Sequence, residues 1–478
     1  MSSPASSPVD AFSLRSPYGR RAVVLASAGA VGGFLFGFDS SVINGAVDSI
    51  QTDFGLNDVI KGLVVAIALL GCAVGAMVAG SLSDRWGRLR VMLLGAVMFL
   101  ASSIGAALAF GPWDLAFWRV VGGIGIGIAS VVAPAYIAEI APRQIRGGLA
   151  SLQQLAITLG IFAALLSDAV VASAAGGADE VLWWGLDAWR WMFLIGVVPA
   201  AVYGILSLTM PESPRFLLAQ GRTDEARVIF ARLVPADDLD RTIGDLQTAI
   251  ETDRRNSGVS LRGPVLGLQR IVWVGIILST FQQFVGINVI FYYSTSLWAS
   301  VGFDEGDAFT ISVATAALNV LVTLIAIFLV DRIGRKPLLL TGSVLMTISL
   351  ATMAIAFLFA TGSGGDVTLP APWGPIALVA ANVFVVGFGA SWGPLVWVLL
   401  GEIFPSRIRA KALGVAAAAQ WIANFLITVS FPAMSAWSLP VTYGMYAVFA
   451  ALSFWYVAKR IPETRGMALE QAETLFNR

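Results

Sequence analysis

Long apolar runs alternate with short charged stretches along this chain. Twelve runs of about 20 residues, the length a helix needs to cross the hydrocarbon core of a bilayer, fall near 22–46, 60–82, 89–110, 114–139, 147–172, 189–210, 269–297, 308–330, 337–360, 374–401, 410–435 and 438–458. The pattern predicts an all-α membrane protein with twelve transmembrane helices. Residues 1–20, rich in Ser and Pro, read as a disordered tail; they lack the short apolar core of a signal peptide, and the first run is too long to serve as one. Residues 216–268 are polar, with spaced apolar positions over 224–233 and 239–252, and predict two to four short amphipathic helices. Residues 461–478 read as a second polar tail.

Composition agrees with the spans. At 57% hydrophobic and 13% charged residues, with a mean hydropathy of +0.80, a soluble domain would expose far too much apolar surface. Of the 30 Lys and Arg residues, all but Lys61, Arg119 and Arg190 lie before the first span, after the last, or in even-numbered loops and their edges. The positive-inside rule therefore puts both termini and the central segment in the cytoplasm, with the spans in the plasma membrane. Asp48, Asp53, Asp58, Asp304, Glu305 and Asp307 fall in the odd-numbered, outward loops. Histidine is absent and Cys72 is the single cysteine. No metal or cofactor site, intramolecular disulfide or nucleophile–base pair is expected, so an enzyme is disfavoured. No basic patch suggests nucleic-acid binding.

Three motifs occur twice, in the same order. Asp84-Arg85-Trp86-Gly87-Arg88 matches Asp331-Arg332-Ile333-Gly334-Arg335. Glu139-Ile140-Ala141-Pro142, leading to Arg146, matches Glu402-Ile403-Phe404-Pro405, leading to Arg409. Pro211-Glu212-Ser213 matches Pro462-Glu463-Thr464. Residues 21–215 and 269–460 thus read as two pseudo-symmetric six-helix bundles joined by a short intracellular helical linker, the parallel-repeat layout of a secondary transporter. The repeated charges predict a cytoplasmic gate of Asp84, Arg88, Glu139, Arg146 and Glu212 with Asp331, Arg335, Glu402, Arg409 and Glu463. Ordinary snorkelling anchors are the competing reading.

Two charges sit inside apolar runs: Asp39 and Arg119. A carboxylate is expensive in hydrocarbon and marks a candidate functional site, with Arg119 as its expected partner. The pair predicts a place to load and release a proton; a static ion pair that only pins two helices is the alternative. Asp168, near the outer end of the fifth span, reads as interfacial. Gly122, Gly123, Gly125 and Gly127 predict close helix packing, and Gly387, Gly389, Gly393 and Pro394 a bend in the tenth span.

The chain resembles the sugar porter family of the major facilitator superfamily over essentially its whole length, and within it the bacterial proton-linked hexose and pentose symporters. The carrying segments are GGFLFGFDSSVINGA from Gly32, GSLSDRWGR from Gly80, RVVGGIGIGIASVVAPAYIAEIAP from Arg119, PESPR from Pro211, QQFVGINVIFYY from Gln282, DRIGRK from Asp331, SWGPLVWVLLGEIFP from Ser391 and PETRG from Pro462. The resemblance implies the major facilitator fold and a sugar site of Gln154, Gln282, Gln283, Asn288, Tyr292, Asn319, Trp397, Gln420, Trp421 and Asn424. It also implies that an acid at the Asp39 position accompanies proton coupling, where facilitators carry a neutral amide.

Residue chemistry agrees with that site. Amides offer donors and acceptors to a ring of hydroxyls, flat indoles suit the C–H face of a sugar ring, and Gly286 permits a helix break between Gln283 and Asn288. A single buried amide such as Asn319 or Gln154 serves equally well to bond a neighbouring helix. Expected partners are therefore a monosaccharide, with glucose favoured, a proton and the lipid bilayer, the protein acting as a monomer. A facilitative uniporter, a pentose or inositol symporter and a membrane sugar sensor remain as alternatives.

Overall fold

The computed structural model describes residues 16–141, 146–256, 260–361, 368–404 and 408–464. The side chains of Arg146, Asp331 and Arg409, three of the expected gate residues, lie outside the described set, as do residues 1–15 and 465–478 of the expected tails.

The first half comprises α1 (Pro17–Asp53), α2 (Asp58–Trp86), α3 (Arg88–Ala107), α4 (Pro112–Ile140) and α5 (Arg146–Ala175), with a sixth span built from α6 (Ala188–Ile195) and α7 (Val197–Thr209). The second half has a seventh span of α11 (Arg270–Phe284) and α12 (Ile287–Tyr292), followed by the short α13 (Ser294–Ala299). It continues with α14 (Glu305–Ile333), α15 (Arg335–Phe357), a tenth span of α16 (Trp373–Gly387) and α17 (Gly393–Ile403), and α18 (Arg409–Arg460). Ser438 leaves helical geometry inside the 52-residue α18, dividing it into the eleventh and twelfth spans. Between the halves lie α8 (Pro214–Ala219), α9 (Thr223–Phe230) and α10 (Ala236–Asn256), packed on a small apolar core of their own that includes Phe216, Phe230 and Ile243.

The residues explain the departures from the expected spans. Helix α1 starts earlier than expected because Ser16 caps it, accepting from Gly19 N at 3.0 Å, and Pro17 takes the first helical position, where its missing N–H costs nothing. A two-stranded hairpin, β1 (Val181–Trp183) with β2 (Leu186–Asp187), follows the fifth span; its strands of three and two residues carry too short an alternation to show in sequence. The bend of the tenth span is a π turn over Phe388–Trp392, amid the expected glycines.

Glycine brings helices into backbone contact where α4 meets α2. A Cβ on Gly123 would collide with the carbonyl of Ala68, and one on Gly127 with the carbonyl of Cys72, so this face must be glycine for α2 to lie where it does. Across the molecule the halves meet mainly where α2 packs on α18 and α5 on α14.

Candidate functional site

In the first half, Arg119 of α4 and Asp39 of α1 meet as expected. Arg119 Nη1 donates to Asp39 Oδ1 at 2.9 Å and lies 3.4 Å from the Asp39 carbonyl. Both side chains are buried, at 3% and 8% exposure, which removes the screening that makes surface pairs weak. The guanidinium stands over the Phe193 ring at 6.0 Å, and its Nε has no hydrogen-bond partner among the described residues. A small cavity opens on the pair, walled by Phe36, Val65, Leu69 and Cys72 of the first half and by Tyr292 of the second. Tyr292 lies within side-chain hydrogen-bonding reach of Ser40 on α1 and Asn424 on α18. Tyr292 therefore stands between the Asp39–Arg119 pair and Asn424 of the expected amide set.

In the second half the chain unwinds where the amides cluster. Gly286 adopts φ +82°, a left-handed conformation that separates α11 from α12, and the Tyr446 ring occupies the space a Cβ would need. This break brings Asn288 back onto Gln283, to whose Oε1 it donates. Gln283 in turn donates to Gln282 Oε1 at 3.4 Å. Gln282 Nε2 reaches the π turn of the tenth span, donating to the carbonyls of Trp392 at 2.9 Å and Gly393 at 3.1 Å. Asn319 is buried on α14 against Gly389 of the same turn.

From α18, Asn424 accepts from Thr428 at 3.0 Å, Trp421 meets Phe36 edge-on at 5.4 Å between ring centroids, and Gln420 Oε1 is buried without a partner among the described residues. Trp397 keeps 41% of its surface exposed and Gln154 is half-buried. Polar atoms left unpaired in a buried setting are costly, and a polyhydroxylated ligand would satisfy them. The expected first-half contact, Gln154, sits one residue from Gln153, whose Oε1 is also unpaired among the described residues and which packs on Gly33.

Sequence reasoning missed a second set of residues. At the end of the bundle away from the chain termini, Asn44 of α1 donates to Ser294 at 2.7 Å and accepts from Thr295 N at 3.0 Å, and its backbone carbonyl accepts from Thr295 Oγ1 at 2.7 Å. Asp48 pairs with Lys61 at 2.6 Å and accepts from Ser296 at 2.6 Å. The Asn44 bonds and the Ser296–Asp48 bond join first half to second half, while the Asp48–Lys61 pair lies within the first. The run of three hydroxyls after Tyr293 was the one available signal. Asp168, expected at the interface, is instead fully buried on α5 against Gly45, with neither carboxylate oxygen bonded among the described residues.

At the opposite, basic end the duplicated motifs build duplicated joints. Gly87 and Gly334, at φ +93° and +103°, turn the chain so that the next helix starts beneath a carboxylate. Glu212 accepts from Arg88 N at 3.0 Å and Leu89 N at 3.4 Å; Glu463 accepts from Arg335 N and Lys336 N, both at 3.0 Å. Negative charge at a helix N-terminus is favourable. Arg88 then reaches Glu139 at 2.9 Å and Asp84 at 3.3 Å, and Arg335 reaches Glu402 at 2.8 Å. The bonds recorded here run within a half, and each network ties together helix ends of its own bundle.

Known proteins share this organisation. Residues 25–476 match the family described as "Sugar (and other) transporter". The chain is 50% identical to the glucose transport protein of Synechocystis sp. over 451 residues, covering 94% of this chain and 96% of the relative. It is 36% identical to the D-xylose-proton symporter of Escherichia coli strain K12, covering 93% and 94%. Among solved structures, the proton:xylose symporter XylE bound to 6-bromo-6-deoxy-D-glucose superposes with a TM-score of 0.79 at 33% identity, covering 96% of this chain and 100% of that one. The inward open conformation of the E. coli xylose transporter gives 0.80 at 32% identity, covering 95% and 99%. With its paired six-helix halves, intramembrane ion pair and twice-built helix-end joints, the chain belongs to the sugar transporter family of the major facilitator superfamily.

Proposed function

We propose that the protein is a proton-coupled monosaccharide symporter working by alternating access, with glucose or a similar hexose as substrate. The observation that carries this reading is Tyr292, which walls the cavity on the Asp39–Arg119 pair and lies beside Asn424 of the expected sugar site. A proton on Asp39 removes the charge that Arg119 holds, freeing α1 and α4 to shift against each other. A sugar bound among Gln282, Gln283, Asn288, Tyr292, Trp397, Gln420, Trp421 and Asn424, with Gln154 and Asn319 at its edge, draws the seventh and tenth spans together. Each event is felt by the other because Tyr292 lies beside both.

The names of the relatives support the substrate class: a glucose transport protein, a D-xylose-proton symporter, and the glucose transporter GlcP of Staphylococcus epidermidis at 36% identity. The distribution of Lys and Arg supports a cytoplasmic basic end. On that orientation the Asn44–Thr295 clasp seals the outside in this conformation. The helix-end charges, Asp84, Arg88, Glu139 and Glu212 with Arg335, Glu402 and Glu463, then lie at the inner mouth, where they brace each half as it rocks.

The test is reconstitution in liposomes without membrane potential, recording external pH as glucose is added. Alkalinisation lost in Asp39→Asn, with sugar counterflow retained, is the expected result. Glucose uptake with no pH change in the wild type would overturn symport and leave a facilitator.

A further inference from the structure

Beneath the first half, a groove of about 370 Å³ runs between the base of α1 and the linker. Val24 and Leu25 of α1, Pro211, and Ile229 and Leu233 of the linker form its apolar walls; Arg20, Arg21 and Arg232 surround it. Its position is defined by the sequence: Arg20 and Arg21 are the last charges before the first apolar run, so the groove straddles the edge of the membrane. Val24 turns 65% of its surface outward just above those arginines, toward the lipid side.

The neighbouring charges do not neutralise this site. Glu225 is held by Arg222 at 2.6 Å and Asp240 by Arg227 at 2.7 Å. Arg20 keeps contacts of its own. Arg21 and Arg232 are exposed and form no ion pair among the described residues. Guanidinium forks above an apolar slot match a phosphodiester carrying acyl chains: the forks take the phosphate oxygens and the slot takes the first methylenes.

We infer that this groove is a binding site for one anionic phospholipid, its headgroup phosphate among Arg21, Arg232 and Arg20 and its chain along Val24, Leu25 and Ile229. Such a lipid bridges α1 to α9 and fastens the linker beneath the first half. The inference needs only the membrane-spanning fold and stands apart from the choice of sugar.

Native mass spectrometry of the full-length protein in detergent, titrated with phosphatidylglycerol or phosphatidylcholine of equal chain length, tests it. Retention of a single phosphatidylglycerol in clear preference to phosphatidylcholine is expected. Arg21→Gln with Arg232→Gln lowers that preference about tenfold, while Arg222→Gln with Glu225→Gln, which removes both members of a neutral pair on the same linker, leaves it intact. The phosphatidylglycerol-dependent rise in melting temperature falls in parallel, whereas the melting temperature without lipid does not move. Equal retention of both lipids, or a preference untouched by the double substitution, overturns the site. So does a preference that emerges only after residues 2–15 are deleted, which assigns the groove to the chain's own N-terminal segment.

Discussion

Asn44 and Thr295 hold each other twice: the Thr295 backbone N–H and hydroxyl both reach Asn44 Oδ1, at 3.0 and 2.7 Å. The two residues belong to opposite halves, and both are buried. Replacing Asn44 by Ala strands the Thr295 N–H and removes the bond to Ser294 only while the halves are clasped; the Thr295 hydroxyl keeps the Asn44 carbonyl, and Ser294 keeps Ser312. Losing buried hydrogen bonds of this kind costs about 1–3 kcal/mol. The conformational equilibrium should therefore move about 5- to 150-fold away from the clasped state. Distances between spin labels on the α1–α2 and α13–α14 loops check this: a longer population should appear in Asn44→Ala. An unchanged distribution would mean that packing alone closes this end.

Tyr292 makes a separate prediction. Tyr292→Phe keeps the ring that walls the Asp39 cavity but removes the hydroxyl beside Ser40 and Asn424. Sugar counterflow should persist at several-fold higher KM, while protons moved per sugar fall. Counterflow and coupled proton uptake declining in the same proportion would assign the hydroxyl to sugar binding alone.

Gln282 reads the shape of the tenth span through two carbonyls at the junction of its π turn with α17, those of Trp392 and Gly393. Gln282→Glu replaces the donating amide by an acceptor facing two acceptors and, with the repulsion, should weaken sugar binding about 10- to 100-fold, from a change of about 1.5–3 kcal/mol. Isothermal titration with glucose in detergent decides it. Affinity within a factor of two of wild type would show that the turn does not depend on this side chain.

Glu212 and Glu463 each cap the helix that follows a left-handed glycine. Glu212→Gln and Glu463→Gln should each lower stability by about 0.5–2 kcal/mol, since charge at a helix N-terminus and its hydrogen bonds are weakened but the shape is kept. Because the sites lie in different halves, the double substitution should lose the sum of the two. Thermal unfolding followed by tryptophan fluorescence measures this; strong non-additivity would reveal coupling between the halves at their basic ends.

Asp168 has no counter-charge beside it among the described residues, and its carboxylate packs on Gly45. A neutral side chain of the same shape fits that space equally well, so Asp168→Asn should keep transport within about twofold and melting temperature within a few degrees. Gly45→Ala, by contrast, drives a methyl into the carboxylate and should destabilise by about 1–3 kcal/mol.

Much of this was legible in the primary structure, for reasons particular residues make plain. The duplicated motifs are visible because the joints they build need the same four chemistries twice: a glycine at positive φ, an arginine after it and two carboxylates. Gly286 was readable as a break because Gln283 and Asn288 cannot share a face of a straight helix. The clasp was not readable, because Asn44 and Ser294 are ordinary polar residues 250 positions apart whose meeting depends on how two bundles dock. The hairpin at Trp183 escaped because strands of three and two residues carry no readable period. Asp168 looked peripheral from its distance to the helix end, yet burial is set by what packs around it, and Gly45 leaves room for α5 to come close.

Cys72 lies in the same cavity wall as Asp39 and Tyr292, and it is the chain's single thiol. The protein thus carries a built-in chemical clock. At 3% exposure the sulfur is closed to reagents in this conformation, so the rate at which a small maleimide consumes it measures how often the cavity opens. Sugar and protons, added singly and together, should alter that rate without any label being engineered into the transporter.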